Sequence, residues 1–194
     1  MHPPRYTDGS PIEKGDAVLR SGVVPARIID VLDADPPAVW LEDAERPGRT
    51  FATTELDDLT LVGRNAPNFV QAGVAWLLGQ AESGDAQAQG ALGWLYDAGV
   101  ALGKDDAAAV KWYARAAQGG DPVAQFNFAL RCEQGRGIAI DLGQAVRWYL
   151  AAAEQGFGPA MMNVSTMYRD GRGVESDIQQ AIRWMRAGEA AVGA

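Results

Sequence analysis

Residues 120–155 read GDPVAQFNFALRCEQGRGIAIDLGQAVRWYLAAAEQ, and the same frame returns 36 residues earlier and 36 residues later. Trp112, Trp148 and Trp184 keep that step. So do Gly84, Gly120 and Gly156; Asp105, Asp141 and Asp177; Ala109, Ala145 and Ala181; and Gly99, Gly135 and Gly171. Chance does not align five columns at once. A period of roughly 20 to 50 residues marks stacked supersecondary units, each unable to bury its apolar face alone and each completed by its neighbour.

Within one unit the local chemistry predicts two helices. Asp121-Pro122 opens helix A, Asp as N-cap and Pro in the first turn. The helix runs to about Glu133 with Ala124, Phe128 and Cys132 on one face. Gln134-Gly135-Arg136-Gly137 ends it, the glycines supplying positive φ and Arg136 expected in solvent. Asp141 caps helix B, whose expected buried stripe is Ala145, Trp148, Tyr149 and Ala152. Asp105, Asp141 and Asp177 recur at a helix start, so capping explains them better than acid catalysis. Cys132 shares a column with Tyr96 and Tyr168 and reads as a core residue.

The first copy spells Gly-Asp-Ala-x-Ala-Gln-x-x-Leu-Gly-x-x-Tyr-x-x-Gly from Gly84, then Asp-x-x-x-Ala-x-x-Trp-Tyr-x-x-Ala-Ala from Asp105 to Ala117. This pattern closely resembles the Sel-one-like (Sel1-like) repeat, a relative of the tetratricopeptide repeat. It covers repeats 84–119, 120–155 and 156–191 and a half repeat at 68–83 that supplies only a second helix. The copies depart from it in places: Gly99-Val100-Ala101 replaces the Gly-Arg-Gly turn, Met185 replaces the aromatic after Trp184, and Gly188 replaces an alanine. The resemblance implies an α/α superhelix that serves as a non-catalytic protein-interaction scaffold.

Upstream, residues 1–64 carry short apolar runs at Ala17–Leu19, Pro25–Leu32, Ala38–Leu41, Thr50–Thr53 and Leu59–Val62, separated by Gly, Pro and Asp. Five short strands predict a small β-barrel. The turn Lys14-Gly15-Asp16 and the strand count resemble SH3-like barrels. The expected architecture is thus α+β and multidomain: a barrel over 1–64, a linker at Gly63–Pro67, and a solenoid over 68–194 whose half repeat caps the array beside the barrel.

Net charge is −8 and the sequence pI is near 4.6, which disfavours nucleic acid and anionic membrane surfaces and favours a basic protein partner. The segment to Arg64 holds seven Lys or Arg against twelve Asp or Glu, in clusters such as Asp30/Asp33/Asp35, Glu42/Asp43/Glu45 and Glu55/Asp57/Asp58. The only histidine is His2, which argues against His-based catalysis and a His-rich metal site. No Gly-x-Ser-x-Gly elbow or Gly-Lys-Ser/Thr phosphate loop is present. No cofactor, no metal and no enzymatic activity are expected, and a cytoplasmic location is.

Helix A of such a pair lines the concave side of the superhelix. Its outward residues are then Gln87 and Trp94 in the first copy, Phe126, Asn127 and Leu130 in the second, and Met162, Asn163 and Thr166 in the third. Trp94, Phe126, Leu130 and Met162 either form an exposed contact patch or are covered in part by the next repeat. The carboxamides could clamp a peptide backbone. Two functions fit: an adaptor holding a partner peptide or helix, and an immunity-type inhibitor that neutralises a basic bacterial toxin or effector.

Overall fold

The computed structural model describes residues 17–20, 24–32, 38–43, 50–53, 59–63 and 69–192. The Lys14–Asp16 turn, His2, the linker residues 64–67 and most of the acidic loop residues lie outside them. The chain divides into two units, one holding the strands, the first helix and the segment Ala98–Lys104, the other holding the remaining helices.

In the first unit the apolar runs form β1 (Ala17–Arg20), β2 (Val24–Leu32), β3 (Ala38–Asp43), β4 (Thr50–Thr53) and β5 (Leu59–Gly63). They make one antiparallel sheet in the order β4-β3-β2-β1-β5. Val18 and Leu41 are fully buried. β4 and β5 are the sheet edges, and no pairing between them closes a barrel among the described residues. Helix α1 (Phe69–Glu82) packs on β1, β2 and β5. It has no charged residue before Glu82, and Leu77 and Ala81 are buried.

The second unit holds α2 (Ala86–Ala98), α3 (Asp106–Gln118), α4 (Pro122–Gln134), α5 (Leu142–Glu154), α6 (Gly158–Asp170) and α7 (Ile178–Val192). α4 packs with α5 and α6 with α7 as helix pairs, and α3 on α4 and α5 on α6 join one pair to the next. Five of these six helices start at an aspartate cap, and α6 starts at Phe157 without a side-chain cap. The carboxylates of Asp85, Asp105, Asp121, Asp141 and Asp177 accept from backbone N–H groups of the first turn, as capping requires. The backbone N–H groups of Asp105, Asp141 and Asp177 also donate to the carbonyls of Tyr96, Cys132 and Tyr168, at 3.0, 2.9 and 2.9 Å, so each loop returns onto the helix it left. Gly135 and Gly171 end α4 and α6 in the left-handed conformation. The second loop glycine has a further reason: a Cβ on Gly137 or Gly173 would collide with the backbone carbonyl of Asp106 or Leu142, at the start of α3 or α5.

The core is a continuous layer of alanines and valines with Phe128, Cys132, Met161, Met167 and two enclosed tyrosines, Tyr113 and Tyr149. Two expectations need correction here. Trp148 is half-buried and only edges onto Phe128, with ring centroids 5.7 Å apart, whereas its neighbour Tyr149 is fully enclosed. The tryptophan column lies at the margin of helix B's buried face; Trp112, for example, stacks under Arg115 at 4.9 Å. Arg136 is not simply solvated either, since it pairs with Asp97 and Asp106.

Candidate interaction surface

The outward residues of the first helix in each pair fall into two groups. Gln87 and Met162 are exposed, with Val123 exposed on α4. Trp94, Phe126 and Leu130 are half-buried and pack against the core; Asn127, Asn163 and Thr166 are half-buried as well. The Phe126 ring meets Tyr149 at 5.5 Å and Phe157 at 5.4 Å, which joins α4 to α5 and to the start of α6. The Thr166 hydroxyl donates back to the Met162 carbonyl at 3.2 Å. Phe126 is therefore covered by Tyr149 of its own copy and Phe157 of the next, while Met162 is 41% exposed with its sulfur close to Gly188.

Beneath this face runs a polar seam that recurs at both internal junctions. The Tyr149 hydroxyl donates to Glu133 Oε2 at 2.8 Å, and Arg172 donates to Glu133 Oε1 at 2.7 Å. One period earlier Arg136 bridges Asp97 at 3.2 Å and Asp106 at 2.8 Å, and the buried Arg131 also pairs with Asp97. Burial first, and the bond to Glu133 second, push the Tyr149 hydroxyl far above the usual phenol range, with Asn163 acting in the opposite sense beside it. Tyr113 moves the same way, through burial and then Asp97. Burial, then Asp141, raises the Cys132 thiol to about 11; its Sγ lies 3.0 Å from Gln144 Oε1. All three groups are held neutral at pH 7, which suits packing and not proton transfer at that pH.

Sequence reading missed this seam because its partners lie more than a period apart: Asp97 with Arg136, and Glu133 with Arg172, are both 39 residues apart. The repeat of that acid–arginine pairing was the available signal. Among the described residues no group of His, Cys, Asp or Glu could hold a metal ion, and no helix is long and apolar enough to cross a membrane.

Helix pairs stacked through a repeated seam define a tetratricopeptide-like α/α solenoid. The Sel1 repeat pattern matches residues 86–121, 122–157 and 158–188, more than half of the chain, and the chain belongs to the Sel1 repeat family. Proteins of this family are in general protein–protein interaction modules and typically non-catalytic scaffolds. The solenoid is similar to that of a Sel1 repeat protein from Oxalobacter formigenes (28% identity, TM-score 0.61, covering 66% of this chain and 37% of that one). It is also similar to a protective antigen of uropathogenic Escherichia coli strains displaying an SLR fold (32% identity, TM-score 0.61, 62% and 26%). Cysteine rich protein B of Helicobacter pylori shares the fold at 13% identity (TM-score 0.50, 64% and 92%). The chain thus spans well under half the length of the first two structures. No curated protein matches it. The family pattern matches no residue before 86, so the sheet stands outside this likeness.

Proposed function

We propose that the chain is a non-catalytic cytoplasmic interaction module that holds a partner protein on the outward face of α2, α4 and α6, the concave side of the superhelix. The observation that carries the reading is that this face keeps Gln87, Val123 and Met162 exposed in three successive copies, Val123 at 49% and Met162 at 41%. Val123 and Met162, in different columns of neighbouring copies, are exposed apolar groups that offer contact points, and the column of Gln87 and Val123 continues in the exposed Pro159. We further propose that the five-stranded sheet, open between β4 and β5 among the described residues, is a small SH3-like accessory domain.

A second reading is favoured by charge. At −8 the molecule steers a basic partner and repels nucleic acid and anionic membranes, as an immunity-type inhibitor of a basic bacterial toxin or effector requires. Affinity capture from the native organism's lysate with wild type and a Val123→Glu/Met162→Glu variant separates these. A dominant partner weakened about tenfold or more in the variant, at an unchanged melting temperature, supports the face. Equal capture by both proteins refutes it. A tight one-to-one complex with a basic toxin selects the inhibitor.

A further inference from the structure

Charge is not spread evenly over the solenoid. On the outward side of α3, α5 and α7, opposite their buried columns, Lys111, Arg147 and Arg183 keep one column through three successive copies, and all three are exposed. Arg115 on α3 and Arg186 on α7 stand at outward positions beside them, also exposed. Helical spacing leaves one acid on this side, Glu154 at the end of α5. Glu189 does not share it, since its counterparts Ala153 and Ala117 are buried in the junctions. The caps Asp105, Asp141 and Asp177 sit at the helix starts, their carboxylates accepting from backbone N–H groups. None of the five cations is in an ion pair among the described residues, whereas Arg131, Arg136, Arg169 and Arg172 all are. A chain of net charge −8 thus keeps the unpaired cations of its helices on one side.

The half-buried tryptophan column borders this side. Arg115 lies over the Trp112 ring at 4.9 Å and Arg183 over the Trp184 ring at 5.9 Å. A guanidinium resting on a ring is held in place with its N–H edge open, which suits a carboxylate. On α3 the small side chains of Ala108 and Ala114 leave a shallow, largely apolar hollow with Lys111, Trp112 and Arg115 around it. The chemistry that complements this side is a set of carboxylates about an apolar group. A nucleic acid or an anionic bilayer extends its charge far beyond five cations and meets the field of a molecule at −8. A short acidic segment of a protein stays within the patch.

We propose that the outward side of α3, α5 and α7 binds an acidic segment of another protein, with carboxylates on Lys111, Arg147 and Arg183 and an apolar side chain beside Trp112. The site is separate from the α2/α4/α6 face. The test titrates the full chain, by fluorescence anisotropy, with two labelled synthetic peptides that share spaced leucines, one filled in with Glu and one with Gln. The Glu peptide should bind at least about tenfold tighter than the Gln peptide and weaken as salt is added. Arg147→Ala/Arg183→Ala should cost at least about tenfold in its binding at an unchanged melting temperature. Val123→Glu/Met162→Glu, which alters the net charge by the same amount on the other face, should leave it unchanged. Equal binding of the two peptides overturns the proposal, as does no binding to wild type. Equal losses in the two variants overturn it too, since the general field and not this side would then set the affinity. Tighter binding of single-stranded DNA or phosphatidylserine vesicles, lost in Arg147→Ala/Arg183→Ala, would assign the side to a polyanion instead. Self-association lost in the same variant would assign it to a second copy of the chain, and either result overturns the proposal.

Discussion

Arg131 is an arginine in a core column: its counterparts one period away are Leu95 and Met167, both buried. It is only 3% exposed, Asp97 holds Nη2, and Nε and Nη1 have no hydrogen-bond partner among the described residues. Removing such a charge together with its desolvation cost is often neutral or favourable, whereas removing its partner strands it. Arg131→Met should therefore leave stability unchanged or raise it. Asp97→Ala should lower stability by about 2 kcal/mol, less than for a fully enclosed pair because Asp97 is partly exposed and Asp106 remains nearby. Urea unfolding of both variants checks the order, and a larger loss for Arg131→Met contradicts it. Nothing local in the sequence marks Arg131 as buried, because an arginine is solvated by default and this one's counter-ion sits 34 residues away. For Phe126 the sequence left two readings open, an exposed contact and partial cover by the next repeat, and the structure takes the second. The residue that covers it, Phe157, occupies the column where Asp85 and Asp121 cap, so α6 begins without a side-chain cap and has an aromatic contact there instead.

At the scale of elements, the helices, their caps and their glycine stops were readable because each depends on neighbours within one turn. The loop between α2 and α3 shows what happens when that chemistry is absent. Gly137 and Gly173 adopt φ of 74° and 73°, and Ala101, one period earlier, is held at 61° with a Cβ in place. An alanine in the left-handed region carries strain of about 1 kcal/mol that glycine does not. Ala101→Gly should then stabilise the protein by about 0.5–1 kcal/mol, seen as a higher urea midpoint, although the same change in an ordinary loop would lower it. A lower midpoint would mean that the neighbours, and not the backbone angle, set the cost. α1 marks the limit of local reading. Its Trp76 and Ala81 sit in the repeat frame, yet the helix belongs to the unit of the sheet. A helix without charge before Glu82 can bury more than one face, and the period cannot say which partner takes it.

For the whole molecule, stability in a repeat array is close to a sum over units and junctions, so a group present at each internal junction acts on the array together. Tyr113 and Tyr149 are such groups, and they and Cys132, which packs inside the α4–α5 pair, are raised from ordinary values of 10, 10 and 9. A raised value means that the folded chain prefers the neutral form. The stabilisation is thus complete below the unfolded values and lost as pH rises through the folded ones. The urea midpoint should begin to fall above pH about 9, with Cys132 losing its share by about 11 and the tyrosines, whose folded values lie higher still, extending the fall beyond it. Cys132→Ala separates the contributions: it lowers the midpoint at every pH through the lost Gln144 contact, but it should remove the slope between pH about 9 and 10 and leave the steeper tyrosine loss above. A midpoint flat to pH 11 in wild type would show that the junctions open to solvent far more readily than their packing implies. A slope unchanged in Cys132→Ala would place the whole alkaline effect on the tyrosine–carboxylate seam. That seam ends at Met185, so the α6–α7 pair would then be the part of the array least sensitive to high pH.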